Sequence, residues 1–163
     1  MPEIVFDACV LSNFALSGSV DIIRTLYGRT ALITDFVNAE ITRGIQAGHS
    51  GLLEIKRSIK KGLIKEICLS GEEEKALFES LSISLGLGEA SSIAAAKKRV
   101  ITFASDDKVA RREAARLGVK LTGTLGILKK AVAAKVITLK EADAVLKKMI
   151  AQGFYSKFKS IKG

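Results

Sequence analysis

The chain has 163 residues, 48% of them hydrophobic and 26% charged, which is enough to bury a core and too apolar for a disordered segment. Lys and Arg outnumber Asp and Glu by 26 to 17, and the resulting +9 favours a polyanionic partner, nucleic acid first, through attraction and counterion release. No basic start followed by an apolar stretch opens the chain at Met1, Pro2 and Glu3, and no apolar run nears the ~18 residues that span a bilayer, so a cytoplasmic protein without a membrane span is expected. Cys9 and Cys68 lie among apolar neighbours without metal-binding spacing and are expected to be buried free thiols.

In chain order, the apolar run Ile4 to Phe6 continues past Asp7 into Ala8 to Leu11 and reads as a buried strand ending near the acid. Val20, Ile23 and Tyr27 share a helical face. Thr30 to Ile33 reads as a second strand, followed by a helix whose Val37, Ile41 and Ile45 face the core. Ser50 to Lys61 is a basic amphipathic segment, and Ile64 to Leu69 a strand. Ser70 with Glu73 has the capping-box spacing that opens a helix to about Ile83, and Gly86 and Gly88 separate it from an alanine-rich helix, Glu89 to Lys98. Val100 to Phe103 and Val119 to Leu121 are strands around a helix that starts at Asp106. Gly123 precedes a helix with Leu125 and Leu128, and Thr138 with Glu141 opens the last one. Beyond it, the tail Phe154 to Gly163 mixes Lys157 and Lys159 with Tyr155 and Phe158, which can stack on RNA but are expected to be packed aromatics with exposed lysines. The alternation predicts a single α/β domain over 1–163, a three-layer sandwich on a mainly parallel sheet, with its site beyond the carboxyl ends of the strands.

Asp7 interrupts an apolar strand, where an unpartnered carboxylate costs several kcal/mol or more. Glu40 falls on or beside the apolar face of its helix, open to pairing with Arg43 or to solvent. Glu89 begins a helix with few charges around it, and Asp106 and Asp107 directly follow a strand, Asp106 as a natural N-cap and Asp107 as a first-turn acid. Acids at strand ends and helix starts of one sheet can converge. Hard cations such as Mg²⁺ or Mn²⁺ prefer such oxygen donors, and one or two ions held there could activate water and orient a phosphodiester, which is nuclease chemistry. Lys108, Arg111 and Arg112 recur on one side of the helix after the acidic pair, and with Arg43 they are candidate phosphate contacts.

Other chemistries fit worse. The lone His49 sits in a glycine-containing loop with no nucleophile tied to it. GLGEAS ends in Ser91 and follows a helix, unlike a dinucleotide fingerprint, and no P-loop is present. An aspartyl phosphotransferase would want an acid where Cys9 stands.

The order of acids, Asp7 after VF, Glu40 in the helix after strand two, Glu89 before strand four and Asp106 or Asp107 after it, resembles the PIN-domain family over nearly the whole chain. GLGEASSIAAA, ITFASDDKVARREA and GVKLTGTLGIL resemble a branch of small prokaryotic PIN proteins related to the VapC toxins. The resemblance implies an α/β/α sandwich, Mg²⁺- or Mn²⁺-dependent endoribonuclease activity, homodimerisation and an antitoxin partner that blocks the site. Cys9 departs from the Ser or Thr of the family's opening motif, and a thiol is the poorer hydrogen-bonding partner. The Asp106–Asp107 doublet leaves the fourth acid open. Besides the ribonuclease, two further classes stay open: a PIN-like module that binds RNA or protein without cutting, and a domain with an acidic pocket for a phosphorylated small molecule.

Overall fold

Strand β1 (Ile4–Phe6) is buried at every position, as a central strand of a sheet covered on both faces must be. The computed structural model describes residues 2–161, so Met1, Lys162 and Gly163, at the ends of the expected domain, lie outside the described residues. Strand β2 (Ala31–Thr34) lies on one side of β1 with β3 (Ile64–Ile67) beyond it, and β4 (Thr102–Ala104) lies on the other with β5 (Leu121–Thr122) at the edge. All four pairings are parallel, with Val5 level with Leu32 and Phe103.

Side chains alternate across a strand, and the two cores follow from that. Ile4, Phe6 and Ile33 face one layer, built from α1 (Ala8–Leu16), α2 (Val20–Tyr27), α3 (Asp35–Gln46), α4 (Leu53–Lys60), α8 (Thr124–Ala133) and α9 (Leu139–Ala151). Val5, Leu32 and Phe103 face the other, where α5 (Gly71–Leu81), α6 (Leu87–Arg99) and α7 (Lys108–Arg116) pack. This is the expected three-layer α/β/α sandwich. Among the described residues no helix is long and apolar enough to cross a membrane.

The local expectations hold for most elements, and the capping box of Thr138 and Glu141 is fully formed. Four differ. Ala8 to Leu11 is the start of α1 rather than strand: the chain turns at Asp7, whose Oδ1 accepts from Ala8 N at 2.7 Å. In a helix Cys9 falls off the face that buries Ala8, Val10, Leu11 and Phe14, so it is exposed, as is Cys68, and neither is the buried thiol expected. At α5 the reach back to Ser70 N comes from Glu74 (2.9 Å) rather than Glu73, and Gly71, directly after the cap, adopts φ +76°. Gly88 lies inside α6, not in the linker before it.

The order β3-β2-β1-β4-β5 means that the chain leaves β1 toward one edge and returns to build the other from β4. The connections therefore diverge beyond the carboxyl ends of β1 and β4, which opens a crevice there. Asp7 directly follows β1, and Ser105, Asp106 and Asp107 directly follow β4.

Candidate active site

Asp7 is only 2% exposed. Its backbone N–H donates to Ala104 O at 2.9 Å, which fixes the end of β1 against β4. Besides Ala8 N, its carboxylate accepts from the Ser105 hydroxyl, at 3.3 Å on Oδ2. Two donors do not offset burial: desolvation first, then the charge of Glu40, push its pKa up to about 6.

Glu40 arrives from the middle of α3 and Glu89 from the first turn of α6. The two helices are tied where they start, since Thr34, the N-cap of α3, shares a 2.8 Å hydrogen bond with Ser91. Glu40 forms no ion pair with Arg43, and its Oε1 accepts from Gly88 N at 3.1 Å. The approach depends on glycine: a Cβ at position 88 would stand 2.9 Å from Glu40 Cδ and closer still to Oε1. Glu89 is half-buried, yet its Oε2 is fully buried and, among the described residues, has no hydrogen-bond partner. Desolvation, then the charge of Asp7 and the proximity of Asp107, raise its pKa to about 8.

The acidic doublet divides its work. Asp107, not Asp106, is the N-cap of α7, with Oδ2 accepting from Ala110 N at 2.8 Å, and its own N–H donates to Ser105 Oγ at 3.2 Å. Asp107 adds its charge to both Asp7 and Glu89. Asp106 turns toward α8, where it accepts from Thr124 N (2.9 Å), the Thr124 hydroxyl (2.5 Å) and Asn13 Nδ2 (3.2 Å). Gly123 permits this, since a Cβ there would lie 2.6 Å from Asp106 Oδ1. The expected N-cap and first-turn roles are thus displaced by one residue, and Asp106 secures the next helix.

Cys9 stands at the mouth of the cluster. Desolvation by the surrounding protein, followed by the charges of Asp7, Glu89, Glu40 and Asp106, push its thiol up to about 12, so it stays neutral. Of the predicted cations, Lys108 and Arg112 are exposed on α7 and Arg43 on α3. Arg111 is occupied, with Nη1 donating to Ser105 O (2.6 Å) and Thr122 O (2.8 Å), where it clamps the ends of β4 and β5. His49 is exposed in its loop.

Four residues of the cluster escape a reading of the sequence: Ser105, Gly88, Asn13 and Thr124. Asp7, Glu40, Glu89 and Asp107 are brought together, and the charges of the others raise the proton affinity of Asp7 and Glu89. Among the described residues, no three His, Cys, Asp or Glu stand as a finished metal-ligand set, so the acids form a cluster in electrostatic contact rather than a coordination shell. Their chemistry nonetheless fits a hard divalent cation: all are oxygen donors, and one buried carboxylate oxygen has no protein partner.

No curated protein shows significant similarity to the chain. A family model described as a PIN domain, a nuclease-type fold, matches residues 3–162. The match runs through every element described above, and the chain therefore belongs to the PIN-domain family.

Proposed function

We propose that the protein is a metal-dependent endoribonuclease that hydrolyses RNA phosphodiester bonds. The observation that carries this reading is the crowding of Asp7, Glu40, Glu89 and Asp107 beyond β1 and β4, with Asp7 and Glu89 raised to about 6 and about 8. Folding has gathered carboxylates at a cost in self-repulsion, and such perturbed groups in a crevice mark sites of chemistry.

Asp7, Glu89 and Asp107 are the residues that would hold Mg²⁺ or Mn²⁺. Such an ion supplies an activated water and neutralises charge developing on the phosphate. Ser105 orients Asp7 and holds the backbone of Asp107, so a single hydroxyl sets the spacing of two acids. Glu40, anchored by Gly88, is assigned the proton of the attacking water. Lys108, Arg112 and Arg43 are assigned to the phosphates flanking the cut. Asp106 is assigned a supporting role, because three donors already take its carboxylate. From family membership come the further proposals that the protein works in the cytoplasm as a homodimer and that an antitoxin covers the site.

The test is cleavage of labelled RNA by wild type and Asp7→Asn in Mg²⁺, Mn²⁺ or EDTA. Metal-dependent cutting that the variant lacks is the expected result. RNA retention without cutting in any metal would overturn the reading in favour of a binding module.

A further inference from the structure

The tail after α9 does not pack as expected. Tyr155 is 78% exposed and Phe158 45% exposed. The segment is nevertheless fastened on both sides. Phe154 packs against the core and donates its N–H to Met149 O at 3.0 Å, and buried Ile161 donates its N–H to Asp143 Oδ1 at 2.7 Å. Between them the Ser156 hydroxyl donates to Phe158 O (2.6 Å) and accepts from Phe158 N (3.1 Å), closing a tight turn. Two aromatic rings are thus turned outward on an anchored segment.

The rings border a groove of about 410 Å³ that runs between the tail, the β5–α8 connection and the start of α7. Lys108, Arg111 and Lys157 line it together with Asp106, whose carboxylate is already satisfied by Thr124 and Asn13. Asp106 and Lys108 flank Asp107, so the groove opens directly beside the acidic cluster. Cations that follow a backbone and an exposed aromatic that accepts a base face are the two components of single-strand recognition. A duplex keeps its bases stacked internally and offers no face to Tyr155.

We infer that this groove holds single-stranded RNA next to the scissile phosphate, with a base stacked on Tyr155 and the adjoining phosphates on Lys108 and Lys157. The inference rests on the ribonuclease reading of the acidic cluster, and it adds a base-stacking subsite built by the tail after α9.

The experiment measures binding of a fluorescein-labelled single-stranded RNA and of the matching duplex in EDTA by anisotropy, for wild type, Tyr155→Ala and Tyr155→Phe, alongside cleavage in Mn²⁺. Tyr155→Ala is expected to weaken single-strand binding about 5- to 100-fold and to leave the duplex unaffected, while Tyr155→Phe, which keeps the ring, binds like wild type. In cleavage KM should rise with kcat unchanged, the signature of lost uniform binding. Tyr155→Ala that binds the single strand as wild type does, or a wild type with no affinity for it, overturns the inference. If binding falls in Tyr155→Ala but no metal supports cutting, the groove stands and the ribonuclease reading fails. If Asp7→Asn abolishes cutting while Tyr155→Ala changes nothing, the reverse holds.

Discussion

The Ser105 hydroxyl donates to Asp7 Oδ2 at 3.3 Å and accepts from Asp107 N at 3.2 Å, so one buried side chain joins the acid after β1 to the acid after β4. Its hydrogen bond lowers the proton affinity of Asp7 against the stronger upward push of burial. Ser105→Ala should therefore reduce cleavage at pH 7 by about 10- to 100-fold, as losses of groups that orient ligands do. Removing the donor shifts Asp7 further upward, so part of the loss should return at pH 8.5. A rate deficit identical at both values would show that Ser105 acts on position alone.

Asp7 and Glu89 make stability depend on pH with a definite sign. Both folded values, about 6 and about 8, lie above the ordinary 3.8 and 4.5, so the folded state binds more protons than the unfolded one across this range. Stability without metal should fall as pH rises, from about 4 to 6 through Asp7 and from about 4.5 to 8 through Glu89. Asp7→Asn removes the first contribution and should raise stability at pH 8 in EDTA by roughly 1 to 2 kcal/mol, the full shift being offset in part by the poorer fit of an amide. Thermal melts in EDTA from pH 4 to 8 check this. Mg²⁺ or Mn²⁺ must displace those protons, so affinity should increase with pH in the wild type and less steeply in the variant, where only the proton of Glu89 remains to be displaced.

How much of this was legible in the sequence depends on whether the deciding contact is local. Asp7 is legible because a carboxylate ending an apolar run demands a partner whatever surrounds it. The α/β alternation is legible for the same reason, being a matter of period. Cys9 reads as buried from its apolar neighbours, and only the helical turn at Asp7 moves it off the buried face. Asp106 and Asp107 are equally good helix starters, and what separates them is Thr124, eighteen residues on. Gly88 looks like a linker glycine until Glu40, 48 positions earlier, occupies the space its side chain would fill.

That last contact gives a steric prediction. In Gly88→Ala the new methyl would overlap the Glu40 carboxylate, which must leave its hydrogen bond to Gly88 N or push α6 from α3. Helix propensity alone would make this substitution favourable by about 1 kcal/mol. The expected outcome is instead a loss of roughly 1 to 3 kcal/mol in denaturant unfolding, with reduced cleavage. A stabilised, fully active Gly88→Ala would refute the proposed cradle for Glu40.

Asp106 and Asp107 offer the sharpest separation of scaffold from chemistry. Asparagine caps a helix about as well as aspartate, so Asp107→Asn should keep the start of α7 and melt close to wild type. Its negative charge beside Asp7 and Glu89 is lost, however, and cleavage should drop by about 10²- to 10⁴-fold. Asp106→Asn reverses the pattern. An amide cannot accept on both sides, so the donors of Thr124 and Asn13 lose charge-assisted partners and stability should fall by about 1.5 to 3 kcal/mol. Below its melting temperature the protein should still cut RNA near the wild-type rate. Melting and cleavage measured on the same two preparations decide the matter: if Asp106→Asn is the variant that stops cutting without loss of stability, the fourth acid is Asp106 and the assignment of Asp107 is wrong.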